Sequence, residues 1–164
     1  MNTLHISKWT IEVDREKTKA YYDAASLITE SCSCTYCNNW VQNCSSLPTE
    51  ILELFDSLGI NPTKEGEVFE ICRNDNGTHS YGGFFHFVGR ISVSERDSQT
   101  KPDFVEYGNG FSISFTNDVS LVPKEFPVPI AQIDIQGDIP WICLETPEDA
   151  IKDKDNKKWW EVWK

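Results

Sequence analysis

Three cysteines close together in the chain restrict its fold and chemistry more than any other feature. Cys32, Cys34 and Cys37 fall within six residues of one another, and Cys44 follows seven residues later. Thiolates are preferred ligands of zinc, which binds about four ligands in a tetrahedron. The two-residue gap between Cys34 and Cys37 lets both sulfur atoms face one ion across a turn, and Cys32 and Cys34 lie on the same side of an extended chain. The spacing predicts a metal–thiolate site that binds zinc.

The spacing alone does not specify the fourth ligand of this site, because the chain has no second Cys-x-x-Cys pair. Cys44 is the nearest further cysteine, so the predicted ligand set is Cys32, Cys34, Cys37 and Cys44. Folding could instead bring one of five other side chains to the site: Cys72, Cys143, His5, His79 or His86. An iron–sulfur cluster is disfavoured, because the gap between the first two cysteines is one residue shorter than in the common ferredoxin motif.

The chain around the cysteines is acidic, which favours a bound cation over a reactive thiolate. No Lys, Arg or His occurs between Ala20 and Thr63, and such groups normally activate a catalytic cysteine. A redox dithiol at Cys34 and Cys37 would need a strand–CxxC–helix unit, which the pattern does not show. We therefore expect a structural, non-catalytic zinc site. Two alternatives stay open at this point: cysteines that are free or joined in disulfides, and a metal- or thiol-dependent enzyme.

The net charge of the chain argues against two classes of partner. It is −11 at pH 7, whereas nucleic acids and anionic membranes are bound through basic patches. No apolar run approaches the roughly 20 residues that cross a bilayer, and the N-terminus lacks a signal-peptide pattern. We expect a cytoplasmic protein that binds neither nucleic acid nor membrane. An acidic surface is also compatible with a basic protein partner, so an acidic protein-binding module of the immunity or inhibitor type is the second hypothesis.

Hydrophobic periodicity predicts an α+β fold: an antiparallel sheet of about five or six strands, with one or two helices and a cysteine-rich loop. A helix is expected after Pro48, with its apolar side chains on one face and Gly59 as its end. A weaker helix is expected after Asp14, with Ala20, Tyr21, Ala24 and Leu27 facing inward. The strands are expected at residues 4–13, 67–72, 80–94, 111–115, 130–135 and 138–144. A hairpin turn is expected at Asn74-Asp75-Asn76-Gly77, between the second and third of them, because these residues accept a positive φ.

The length of the chain, 164 residues, predicts a single domain that spans residues 1–164. Its last eight residues, 157–164, form a Trp-rich tail with three tryptophans within five positions. Because tryptophan is costly to expose to water, we expect this tail to cover the body of the domain. Contact with a partner is the alternative role for it.

Four short motifs in order resemble a family of small, uncharacterised bacterial proteins. They are Cys-x-Cys-x-Tyr-Cys-x-Asn at 32–39, Leu-Gly-Ile-x-Pro-x-Lys-Glu at 58–65, Tyr-Gly-Gly with His-Phe-x-Gly at 81–89, and Ile-Pro-Trp at 139–141. The likeness extends from about Trp9 to Glu145. The resemblance implies a bacterial cytosolic origin and treats Cys32, Cys34 and Cys37 as one unit. The family has no assigned activity, so it implies no catalytic residue.

Overall fold

The computed structural model describes residues 1–93 and 103–144, which form an α+β fold on a seven-stranded antiparallel sheet. The strands are β1 (Asn2–Ile6), β2 (Trp9–Val13), β3 (Glu67–Arg73), β4 (Thr78–Val93), β5 (Val105–Glu106), β6 (Ser112–Thr116) and β7 (Ile130–Pro140). The helices are α1 (Arg15–Ala24), α2 (Ile28–Ser31), α3 (Thr35–Asn43) and α4 (Thr49–Leu58), with a 3-10 turn at Cys44–Ser46. The strand order is β1-β2-β4-β7-β6-β5, and β3 pairs with β4.

The long strand β4 lies at the centre of this sheet. One of its edges pairs with β7 over the whole span from Thr78 to Val88. The other edge is shared, because β3 pairs with its first half and β2 with its last five residues. Strand β4 therefore has paired neighbours along both of its edges.

Helix α1 covers the gap between β2 and β3 along β4. The backbone N–H of Val88 donates to Thr18 Oγ1 at 2.9 Å, and the Tyr22 hydroxyl donates to the carbonyl oxygen of His86 at 3.0 Å. These bonds satisfy backbone groups that no strand reaches at this point. Thr18 and Tyr22 are accordingly the buried residues of α1.

The hydrophobic core lies between one face of the sheet and helices α3 and α4. Alternate residues of β4 face the helices, including Tyr81 and Phe85. The indole ring of Trp40 lies 6.3 Å from the Phe85 ring, and the Phe55 ring meets Phe85 edge-on at 5.2 Å. All four side chains are almost fully buried. Helix α3, which follows the cysteines, is therefore fixed against the centre of the sheet.

Several predicted elements are confirmed. Helix α4 begins directly after Pro48 and ends at Gly59, which adopts the left-handed conformation at φ 78°. Asp14 caps α1 by accepting a hydrogen bond from the backbone N–H of Lys17. The turn at residues 74–77 connects β3 to β4 as an antiparallel hairpin.

Other predictions were wrong in their boundaries. Residues 4–13 contain two strands, because the chain reverses at Ser7 (φ 50°) and β1 pairs back onto β2. The two strands expected at 130–135 and 138–144 are one strand, β7. The short β5 was not among the predicted strands, and the described residues contain four α-helices.

The buried face of α1 was also predicted incorrectly. Ala20 and Ala24 are exposed, whereas Thr18 and Tyr22 are buried. The reason is that the inward residues of this helix must bond to the backbone of β4, which alanine cannot do. The Trp-rich tail at 157–164 and the proposed single-domain boundary at 164 lie outside the described residues. No helix in the described part of the chain is long and apolar enough to span a bilayer.

Replacing Gly59 with alanine should destabilise the fold for two reasons. Its positive φ disfavours any Cβ, which costs on the order of 1 kcal/mol, and a Cβ would lie 2.4 Å from the carbonyl oxygen of Arg15. Gly77→Ala is the matched control, because Gly77 has φ 82° but no atom within 4 Å of the added Cβ. Urea unfolding should show a clearly larger loss of free energy of unfolding for Gly59→Ala. Equal losses would contradict the close packing of α1 against the end of α4.

Candidate metal centre

The three cysteines lie on the connection between α2 and α3. Cys32 follows the last residue of α2 in an extended conformation, and Cys34 is the extended residue that precedes α3. The Cys34 sulfur accepts a hydrogen bond from the backbone N–H of Cys37 at 3.4 Å. Cys37 lies in the first turn of α3, so the helix brings its side chain back towards the two preceding thiols.

The Sγ atoms of Cys32, Cys34 and Cys37, called here the cysteine cluster, all lie within 4.8 Å of one another. The Cys32 and Cys34 sulfurs are 3.3 Å apart. With zinc–sulfur bonds of about 2.3 Å, the sulfurs of a tetrahedral site lie roughly 3.8 Å apart. The cluster therefore needs only small side-chain adjustments to bind one ion through three sulfur atoms.

The cysteines of the cluster differ in exposure and in acidity. Cys37 is buried, Cys32 is partly buried and Cys34 is exposed. Hydrogen bonds with the backbone of Cys34 and with the thiols of Cys34 and Cys37 lower the pKa of Cys32. Burial, followed by hydrogen bonds with the other two thiols, raises the pKa of Cys37. Since metal binding requires thiolates, an arriving ion must displace protons from this cluster.

The segment that carries the cluster is anchored to the sheet through Asn39, which is completely buried. Its side-chain NH₂ donates to the Tyr81 hydroxyl and to the carbonyl oxygen of Pro140, and its amide oxygen accepts from the backbone N–H of Ile142. The Tyr81 hydroxyl in turn donates to the carbonyl oxygen of Tyr36 at 3.1 Å. These bonds position the first turn of α3 before any metal binds.

Residues from three of the four motifs behind the family resemblance lie close together around Asn39. Tyr36 and Asn39 belong to the first motif, Tyr81 begins the third, and Pro140 and Trp141 belong to the fourth. The Tyr36 ring contacts Trp141 edge-on at 5.8 Å. Their proximity gives a physical reason for these residue types, while the family assignment itself stays a prediction.

A cavity of about 390 Å³ adjoins the cysteine cluster. The opposite wall is strand β3, which contributes the carboxylates of Glu67 and Glu70. Apolar walls come from Ile28, Val68 and Phe69. No Lys, Arg or His is among the residues described as lining this cavity. The negative charge of the cavity lining therefore favours a bound cation.

Glu70 is paired with a buried histidine. Its Oε1 lies 2.5 Å from Nδ1 of His79, which is 6% exposed. The imidazole ring of His79 also packs against the ring of Trp141 in a tilted orientation, with 4.7 Å between the ring centroids. The pair fixes Glu70 on the helix-facing side of β3, opposite Tyr81.

The structure does not bring Cys44 into the cysteine cluster. Seven residues separate it from Cys37, and two turns of helix correspond to about 10.5 Å of rise. The Cys44 thiol is buried in the core, where it donates to the carbonyl oxygen of Pro62 at 3.5 Å. Burial raises the pKa of Cys44 to about 12. Ligation by Cys44 stays a prediction that this geometry does not support.

The five alternative ligands also lie outside the group of close thiols. His79 is bound to Glu70, and the buried His86 ring binds the carbonyl oxygen of Ser120 through Nε2 at 2.9 Å. The exposed Cys72 contacts Asn74, and the Cys143 sulfur lies 3.9 Å from the carbonyl oxygen of Thr35. His5 is exposed and contacts Thr10.

Sequence reasoning missed the two carboxylates of the cavity. Glu67 and Glu70 were visible only as polar residues of a predicted strand, three positions apart. The turn at 74–77 indicates that this strand pairs with β4, but nothing in the sequence places α3 beside that pair, so no local signal brings the two carboxylates to the cysteines. The acidic composition of the region was the only hint.

Comparisons with known proteins do not identify the chain: no protein-family model, no curated protein and no solved structure matches it. The function must therefore be inferred from the cluster and its surroundings.

The lowered pKa of Cys32 predicts an unusual pH dependence of alkylation in the metal-free protein. Native Cys32 should react with iodoacetamide at lower pH than the same cysteine in urea-unfolded chain, because its thiolate is stabilised by hydrogen bonds. Cys37 should show the opposite shift. Digestion after Tyr36 separates these residues, and fragment-ion mass spectrometry then distinguishes Cys32 from Cys34. Identical pH profiles for native and unfolded Cys32 would contradict the hydrogen bonding described for the cluster.

Proposed function

We propose that this chain is a non-catalytic domain whose fold is completed by a zinc ion bound to Cys32, Cys34 and Cys37. The observation that supports this most is that their three sulfur atoms lie within 4.8 Å of one another. The segment that carries these cysteines is already anchored by buried hydrogen bonds. Metal binding therefore costs little further conformational entropy.

The choice of zinc rests on the donor atoms and on the local charge. Soft thiolates select zinc, copper(I) or iron–sulfur clusters over magnesium and calcium. The iron–sulfur spacing is absent from the sequence, and zinc needs no redox partner. The cavity beside the cluster supplies two carboxylates, which further favour a divalent cation.

A reducing location is part of the proposal. The family resemblance implies a bacterial cytoplasm, where cysteines are kept as thiols and are available as ligands. The six cysteines are free thiols in the described structure. A cytoplasmic protein with this cluster would bind zinc during folding.

The proposed role is structural because of where the cluster lies. Helix α2 has only four residues, too few to be stable by itself. An ion bound to Cys32, Cys34 and Cys37 would link the end of α2 to the first turn of α3. Metal binding energy would then contribute directly to folding.

Zinc content and thermal stability test this function. The protein purified under reducing conditions should contain one zinc per chain, and complete chelation should lower Tm on the order of 10 °C. Cys34→Ser should lose the metal, because it removes one of three ligands. Cys72→Ser is the matched control, because Cys72 is an exposed cysteine outside the cluster, and should retain it. An unchanged Tm after complete removal of metal would refute a structural role.

Two other functions stay predictions. Binding of a basic protein partner rests on the net charge of −11, and no contact among the described residues tests it. A metal- or thiol-dependent enzyme would need an open coordination position on the ion. Whether that position is open depends on the fourth ligand.

A further inference from the structure

The two carboxylates in the cavity beside the cysteine cluster differ in what they already bind. Glu70 is already paired with His79, with 2.5 Å between Oε1 and Nδ1. The Glu67 carboxylate has no hydrogen bond or ion pair within the described part of the chain. Glu67 lines the same cavity as the three thiols, so its carboxylate is available to an ion bound there.

The position of Glu67 is fixed by its neighbours in the chain. Gly66 packs so closely on the ring of Phe85 that a Cβ would lie 2.5 Å from it. Glu67 itself is in register with Phe84 at the start of β3. The backbone that carries this carboxylate is therefore attached to the core, while the side chain is exposed.

The assignment rests on the cavity that Glu67 shares with the cysteine cluster. Glu67, Cys32, Cys34 and Cys37 all line this space of about 390 Å³. A cation bound there would attract both the carboxylate and the thiolates.

We infer that Glu67 supplies the fourth ligand of the zinc site, which then contains three thiolates and one carboxylate oxygen. This inference rests on the proposed zinc site. Carboxylate oxygens are established zinc ligands. Glu70 remains with His79 and contributes charge to the cavity without contacting the ion.

The identity of the fourth ligand decides whether the site is structural or catalytic. With Glu67 bound, the tetrahedron is closed by protein atoms, so no position is left for a substrate or a water nucleophile. The ion also connects β3 to the α2–α3 segment, which are about 30 residues apart in the chain. A closed site that joins distant segments is structural.

Zinc affinity in matched variants tests this assignment. Zinc binding to wild-type protein, Glu67→Gln and Glu70→Gln is measured by competition with a chelating indicator dye. Glu67→Gln should weaken zinc binding at least about 10-fold, because it removes a ligand. Glu70→Gln is the control: its amide oxygen still accepts a hydrogen bond from His79, and its affinity should stay within about threefold of wild type. Far-UV circular dichroism of the metal-free proteins checks that the variants fold alike.

Cobalt(II) provides a second readout that does not depend on affinity. At saturating cobalt, wild type and Glu67→Gln should both show charge transfer from three thiolates, whereas the ligand-field bands should differ because one oxygen ligand has been lost. Unchanged ligand-field bands would overturn the assignment of Glu67.

The outcomes separate this inference from the proposed function. If wild type binds one zinc but neither glutamate variant weakens binding, the fourth ligand is not Glu67 and the thiolate site still stands. If Glu70→Gln alone weakens binding, the assignment of Glu67 is overturned in favour of Glu70. If wild-type protein binds no zinc, both the site and its fourth ligand are refuted.

Discussion

The hydrogen bonds of Asn39 are the constraint on which the cysteine cluster depends. This buried side chain joins helix α3 to strands β4 and β7 through Tyr81, Pro140 and Ile142. Each of its polar groups has a partner, as a buried amide requires. Because α3 cannot shift without breaking these bonds, they fix its first turn, where Cys37 lies and which Cys34 directly precedes. The chemistry of the site is therefore a consequence of a polar contact in the core.

Much of the fold follows from local patterns. Neighbouring residues determine three of these features: the apolar face of α4, the left-handed conformation of Gly59 and the turn at 74–77. The sequence therefore predicts them correctly. The burial of Thr18 and Tyr22 is different. It arises because β2 and β3 leave part of β4 unpaired, and two hydroxyl groups of α1 bond to the exposed backbone there. No periodicity within α1 contains that information.

Some features of the candidate site are likewise predicted by the sequence, and others are not. The closeness of Cys32, Cys34 and Cys37 follows from an extended pair and one helical turn, which the spacing alone predicts. The role of Cys44 was inferred from nearness in sequence, but an intact helix places it two turns from Cys37. Glu67 lines the cavity beside the thiols because α3 packs next to the β3–β4 hairpin. The turn at 74–77 predicts that hairpin, but the position of α3 beside it depends on the whole fold.

X-ray absorption at the zinc edge tests the central claim most directly, because it counts the sulfur and oxygen neighbours of the ion. The account predicts three sulfur atoms at about 2.3 Å and one oxygen at about 2.0 Å in wild-type protein. Four sulfur neighbours would place another cysteine on the ion and contradict the assignment of Glu67. A spectrum with no sulfur neighbours would show that zinc does not bind at the cysteine cluster.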